Sequence, residues 1–332
     1  MNTINGVNSS EVIVGAQDEE NTIIARAGND RVYGGQLADN LGGGADIDGI
    51  WGLSGDDVIS GGTGGDFASG SVGNDTITGG EGNDYLWGGK GEDVIVGGKG
   101  NDVMHGNTGN DVMSANSGDD AVYGLAGDDV INAGSGNDFV TAGSGNDRVV
   151  ASTGNDVSFG GSGYDTLDFS GIGSAVSIDL SKNTASFGKE GYVQTINSFE
   201  QVIGGNGGTH FMGSDSGNTT FIGGTGDDWM RGKGGSDVLT GGDGHDTFAY
   251  LKKDTAGGAV DTITDFHVGE DRLDMSDFLK GHTDYSQSVR IVDGADGAHV
   301  QGLVKHQWVD VVTLAGVEAQ DMTLGDLGLL AA

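Results

Sequence analysis

The chain has no cysteine and no proline, and only 15 basic residues against 50 acidic ones in 332. Without cysteine there is no disulfide to staple it and no thiolate to hold a soft metal. Without proline, the 68 glycines cannot form a collagen-like repeat, which needs abundant proline at period three. A formal charge of -35 repels nucleic acid and anionic lipid and draws cations instead. No apolar run reaches the length of a membrane span, and MNTINGVNSSEVIVG has neither the basic start nor the apolar core of a cleaved export signal. Neither a membrane span nor signal-peptide export is expected.

What the chain does have is a period of nine. From Ala25 to Asp168 the nonapeptide G-G-x-G-x-D-x-U-x, with U a large aliphatic residue, runs through sixteen copies without losing phase; GGEGNDYLW from Gly79 and GGKGEDVIV from Gly88 are good ones. The sixth position is Asp in every copy: Asp30, Asp39, Asp48, Asp57, Asp66, Asp75, Asp84, Asp93, Asp102, Asp111, Asp120, Asp129, Asp138, Asp147, Asp156 and Asp165. The eighth is Val, Ile, Leu or Met in fourteen copies, failing at Ala68 and Ser158, and the fourth is Gly in fourteen, failing at Leu37 and Asp46. A solvated acidic surface would scatter its carboxylates; these are in register.

Fixed-period repeats predict a solenoid in which each unit packs only on its neighbours. The expected fold is all-β, a parallel β-roll. Each x-U-x makes a short strand with U inward, and the six residues before it turn the chain where glycine tolerates positive φ. Two nonapeptides close one coil of about 18 residues, and coils stack about 4.8 Å apart. Asp75 then lies over Asp93, and at that spacing each such pair repels by about 1 kcal/mol even in bulk water. A cation is needed along both edges. Calcium takes six to eight oxygens, which paired carboxylates and backbone carbonyls offer; magnesium demands tighter octahedral geometry, and zinc wants the Cys and His these loops lack. Folding is therefore expected to be linked to calcium.

The nonapeptide resembles the RTX, or hemolysin-type calcium-binding, repeat, and the resemblance implies calcium ligands at Asp57, Asp66, Asp75, Asp84, Asp93, Asp102, Asp111, Asp120, Asp129, Asp138, Asp147, Asp156 and Asp165. The degenerate loops GGQLAD and GGADID leave the earlier sites out of that set. A second block from Gly204 to Ala249 keeps Asp228, Asp237 and Asp246, whereas Thr209 and Thr219 stand at the ligand position, where calcium is expected to be weak or absent. Between the blocks, YDTLDFSGIGSAVSIDLSKNTASF and INSFEQVIGG read as strands with turns, similar to the hairpin insertion of the R-modules of secreted mannuronan epimerases. The last eighty residues alternate strands with turns and end in LGDLGLLAA, resembling the uncleaved export region of type I secretion substrates. The expected segments are 1–24, an N-terminal cap; 25–168, the first roll; 169–203, the hairpin insertion; 204–250, the second roll; and 251–332, a β-rich secretion region. The resemblance implies an extracellular or cell-surface protein handed over by the type I secretion machinery. It stays unfolded in low cytosolic calcium and folds outside, where calcium is millimolar.

No H-E-x-x-H zinc helix and no G-x-S-x-G elbow occurs. His105, His210, His245, His267, His282, His299 and His306 are dispersed, and about 24 residues ahead of the first repeat are too few for a catalytic domain. No enzyme activity and no catalytic residue is expected. The remaining pattern is aromatic: position nine of alternate copies reads Tyr33, Trp51, Ser69, Trp87, His105, Tyr123, Thr141 and Phe159, six of the eight being rings, and Phe67, Tyr85 and Phe139 occupy position seven. The opposite flank carries mainly Val, Thr and Ser. Rings in rows stabilise a sheet, stack on sugars, or mark a contact surface. The favoured function is a secreted structural, adhesive or assembly component of the cell surface or matrix, binding calcium and copies of itself. A polysaccharide-binding module is the alternative.

Overall fold

In a computed structural model of the chain, residues 2–256, 258–280 and 285–325 are described. The expected tail motif at Asp326–Leu330, like His282, lies outside them. The chain forms two compact units, Met1–Leu167 with Gln194–Phe199, and Asp168–Val193 with the residues from Glu200 onward. Both are built almost wholly of β-strands, wound as a parallel β-solenoid.

In the first unit, successive strands alternate between two parallel sheets. Tyr85–Lys90 pairs with Phe67–Val72 and Val103–Thr108, placing Leu86 beside Ala68 and Met104. Val94–Lys99 pairs in the same way with Thr76–Glu81 and Val112–Ser117. The register is 18 residues, one coil. Position eight of each copy points inward, and Ile59, Ile77, Ile95, Met113 and Ile131 face the interior from one sheet, as Ile50, Ala68, Leu86, Met104 and Val122 do from the other, each at most 1% exposed. Burial of one such aliphatic side chain contributes about 2 kcal/mol.

The strands are longer than the three residues x-U-x predicts. Most run six, as in Tyr85–Lys90, and take in both leading glycines of the next copy. With the period of two, the first residue becomes a second inward position that takes only a small side chain: glycine in most copies, and alanine at Ala25, Ala115, Ala133, Ala142 and Ala151. A Cβ on Gly88 would lie 2.3 Å from Oδ2 of Asp93. Positive φ belongs to positions two and four, such as Gly80 at 120° and Gly82 at 139°. The first residues of the chain already wind as a coil: Asn2–Asn5 pairs in parallel with Asn21–Ala27, and Val12–Val14 with Arg31–Gly35. At the other end Val157–Ser162 pairs with Thr195, Ile196 and Asn197.

In the second unit, Val176–Asp179 forms an antiparallel hairpin with Thr184–Phe187 and pairs in parallel with Thr209–Met212. Coils through Trp229–Arg231, Thr247–Ala249 and Arg272–Asp274 continue one side, and Gln201–Ile203, Thr220–Thr225, Val238–Asp243 and Asp261–Ile263 the other. The core is more aromatic here, with Phe211, Phe221 and Phe248 fully buried. Asp261–Ile263 then pairs with Gln307–Ala315, which closes an antiparallel meander with Gly297–Val304 and Val289–Asp293. Arg231 makes a two-pronged ion pair with Asp254 at 2.8 and 3.0 Å, a bidentate geometry that fixes the 251–256 turn.

Candidate calcium columns

The sixth-position aspartates form two continuous columns. Each backbone N–H donates to Oδ1 of the aspartate one coil later, as Asp57 to Asp75 and Asp84 to Asp102, and the distance stays between 2.7 and 3.0 Å from Asp30 to Asp165. The same side chains are nearly sealed from solvent, at most 3% exposed. Burying carboxylates this deeply is costly unless both oxygens are satisfied.

Only one of them is. From Asp30 to Asp147, Oδ2 is buried and accepts no hydrogen bond, and the same holds at Asp228, Asp237 and Asp246. Where position one is glycine these oxygens point at it; in the copies of Asp30, Asp120, Asp138 and Asp147 the position is Ala25, Ala115, Ala133 and Ala142. A Cβ on Gly97 would lie 2.4 Å from Asp102 Oδ2 and 2.9 Å from the Ala115 carbonyl oxygen of the next coil, and one on Gly61 would lie 2.5 Å from Asp66 Oδ2 and 2.6 Å from the Gly79 oxygen. At Gly61 and Gly97 the orphaned carboxylate oxygen and a backbone carbonyl of the next coil thus flank the same inward point. The donor set is all oxygen, which suits a hard cation of calcium type. Among the described residues no three His, Cys, Asp or Glu side chains converge as a metal cluster. When bound, calcium supplies the positive charge that lets the columns stay ionised.

Burial, first of all, pushes Asp57, Asp66, Asp102, Asp129 and Asp138 up to about 7 and Asp48, Asp75, Asp111 and Asp147 to about 6, with column neighbours adding repulsion and the accepted backbone N–H opposing it. Asp84, Asp93 and Asp120 are raised by the same burial.

The degenerate early loops build the same geometry as the regular ones: Asp39 and Asp48 keep the Oδ1 bond and an orphaned Oδ2. Asp156 differs from the other expected ligands. Gln194 Nε2 donates to its Oδ2 at 2.6 Å and Ser152 Oγ at 3.3 Å, so a side-chain amide satisfies the oxygen left orphaned elsewhere. Thr209 and Thr219 keep their column places, their N–H groups donating to Oδ1 of Asp228 and Asp237, but they bring a neutral hydroxyl.

Two column members were not legible in the motif. Asp261 Oδ1 accepts from the Asp237 N–H at 2.9 Å and Asp271 Oδ1 from the Asp246 N–H at 3.1 Å, after gaps of 24 and 25 residues. Burial and the facing Asp237 raise Asp261 to about 8. A second row also escaped the motif. Position-five Asn and Asp side chains accept from the backbone N–H one coil later, as Asn83 from Asn101 at 2.8 Å and Asn101 from Asp119 at 3.0 Å. Asn101→Ala removes the acceptor for the Asp119 N–H at an exposed edge. The expected loss is about 1 kcal/mol in the calcium-bound protein, read as a small drop in its thermal midpoint.

The expected aromatic stripe forms a continuous ladder in the first unit. Tyr33, Trp51, Phe67, Trp87, His105, Tyr123, Phe139 and Phe159 follow one another with centroids 4.8–6.2 Å apart. His105, outside the expected contact face, is a full member of it, and burial lowers its pKa.

Comparison with known proteins gives the same picture. The RTX calcium-binding nonapeptide repeat matches residues 16–41, 33–68 and 69–104, and the Peptidase M10 serralysin C terminal family matches 114–327. Neither is a catalytic domain. No curated protein matches the chain. Similar solved structures include a hyperactive, Ca2+-dependent, β-helical antifreeze protein from an Antarctic bacterium, at 20% identity over 78% of this chain and 85% of that one, with a TM-score of 0.40. Another is the extracellular lipase LipA from Serratia marcescens, at 14% identity over 75% of this chain and 45% of the lipase, with a TM-score of 0.20. The chain thus spans less than half the length of that lipase. Carrying RTX calcium-binding repeats in its first part and a match over more than half its length in the second, the chain belongs to the serralysin C-terminal family of type I secreted proteins.

Proposed function

We propose that this protein leaves the cell unfolded through a type I route, folds on calcium outside, and serves as a structural or adhesive component of the cell surface or extracellular matrix. In this reading the first roll (25–168) and the second (204–250) are the calcium-bearing parts, their columns of Asp supplying the ligands, and 251–332 serves export. The segments 1–24 and 169–203 act as cap and insertion. The observation that carries the reading is the exposed aromatic ladder on an acid-rich chain. Tyr85, Trp87 and Phe139 are 54%, 44% and 37% exposed, and apolar surface of that extent marks a contact.

A polysaccharide platform is less well supported. Tyr33 on Trp51 and His105 on Tyr123 are stacked within 10° of parallel, which uses up the ring faces a sugar would need. The test is fractionation of producing cells with millimolar calcium and then with chelator. The expected result is protein retained with the surface or matrix in calcium and released by chelator, and tryptophan fluorescence that does not respond to acidic or neutral glycans. A saturable glycan titration by protein that never associates with surfaces would replace this reading with the carbohydrate one.

A further inference from the structure

We infer that the aromatic face of the first unit seats a second copy of this chain, face to face across a two-fold axis; the inference rests on the assembly reading above and names its partner.

The face consists of eight strands: Arg31–Gly35, Gly49–Ser54, Phe67–Val72, Tyr85–Lys90, Val103–Thr108, Ala121–Ala126, Phe139–Ser144 and Val157–Ser162. None of the chain's 50 acidic residues falls in any of them. The acids sit in the turns, so a chain of charge -35 presents one broad surface without a carboxylate. Leu53, Val72, Tyr85, Trp87, Leu125 and Phe139 stand exposed on it, whereas the exposed side chains Ile24, Val58, Val94 and Val112 of the opposite sheet are aliphatic only. The opposite sheet of the same coils carries no ring, and its Glu81 is neutralised by Lys99 at 2.6 Å.

The ladder is kept continuous by compensation between rows. Where position nine lacks a ring, at Ser69 and Thr141, position seven supplies Phe67 and Phe139, and these bridge Trp51 to Trp87 and Tyr123 to Phe159. A stack that merely stiffened the sheet would gain little from exposing Tyr85 beside an already occupied Trp87. With many ring faces turned to one another, the side chains offer edges to the outside, forming ridges at the spacing of the coils. A surface that meshes with such ridges has the same pitch, and a second copy has it by construction.

Size fits as well. Eight strands at about 4.8 Å by six residues at about 3.3 Å give a face of about 750 Å², close to the roughly 800 Å² per partner of a standard stable interface. An isologous two-fold pairing buries both faces at once and closes the assembly. It also keeps the acidic turns at the rim, where salt and calcium screen them.

The test uses the full chain in millimolar calcium, by sedimentation equilibrium up to about 100 µM. The expected mass is that of a dimer. Tyr85→Lys combined with Trp87→Lys brings two charges onto each face and should weaken association at least about 50-fold, with circular dichroism and calcium midpoint unchanged. Tyr85→Lys alone, at the more exposed ring, should weaken it in the same direction and covers the case in which the double variant folds poorly. Val94→Lys with Val112→Lys, on the opposite face, should leave the dimer intact. A wild-type chain that stays monomeric, a dimer that survives the Tyr85 and Trp87 changes, or one lost equally with the Val94 and Val112 pair, overturns the inference. Surface retention that persists in a monomeric wild type would overturn this pairing while leaving the adhesive function standing; a dimer that never attaches to surfaces would do the reverse.

Discussion

In chelator at pH 7.5 the first unit is expected to lose its β-sheet circular dichroism, and millimolar calcium to restore it. The cause is the row of buried Oδ2 atoms that accept no hydrogen bond from the protein. A carboxylate moved from 3.8 to about 7, as at Asp57 or Asp102, resists ionisation by roughly 4 kcal/mol, and a few such groups match the whole stability of an ordinary domain. The pH dependence follows with a definite sign. For an acid whose folded pKa lies above its unfolded one, the native state holds more protons between the two values, so stability of the metal-free roll falls as pH rises from about 4 to about 7. Metal-free protein at pH 4.5 should therefore keep more β-structure than at pH 7.5. With calcium present the trend reverses, because protons compete for the ligands, and the calcium midpoint should be higher at pH 5.5 than at pH 7.5. Identical spectra with and without chelator at pH 7.5 would refute the account.

Gly82→Ala is expected to abolish the first roll at any calcium concentration. Gly82 has φ of 139°, a region essentially closed to residues with a Cβ, and the added carbon would sit 1.6 Å from the carbonyl oxygen of Gly64 in the coil before. The neighbouring coil is backbone and cannot yield as a flexible side chain would. A loss of more than about 4 kcal/mol is expected, which marks a backbone defect and not a missing contact. Gly173→Ala, where nothing lies within 4 Å, is the control and should change the thermal midpoint little. Calcium titrations followed by circular dichroism separate the two; a Gly82→Ala protein that folds at ordinary calcium would show that the coils slide apart more easily than their hydrogen bonds imply.

The period of nine made most of the first unit legible, because one repeat sets the strand, the turn and the carboxylate together. Ile77 and Ile95 face inward and Asp75 lies in register with Asp93 for the same reason. What the period hid was anything that depended on a neighbouring coil. The first position is kept to glycine or alanine because it faces inward beside the sixth-position carboxylate, as Gly88 does beside Asp93, a contact between residues five apart that no rule about φ anticipates. The Gln194 amide reaches Asp156 across 38 residues. Asp261 and Asp271 were lost because the turns before them grow longer than the motif allows, while the strands they precede still stack on the same columns. His105 counts among the rings of position nine but was left out of the expected contact face, although an imidazole at strand spacing stacks as well as a phenol does.

The sixth-position carboxylates reach back to the coil before, and the position-five amides and carboxylates reach forward to the coil after. An interior coil is thus gripped from above and below by two sets of side chains pulling in opposite senses, whereas an end coil is gripped from one side only. Within the first unit unravelling should retreat inward from the end coils and not open a gap midway, and deletion of whole coils from an end should leave the remaining coils intact.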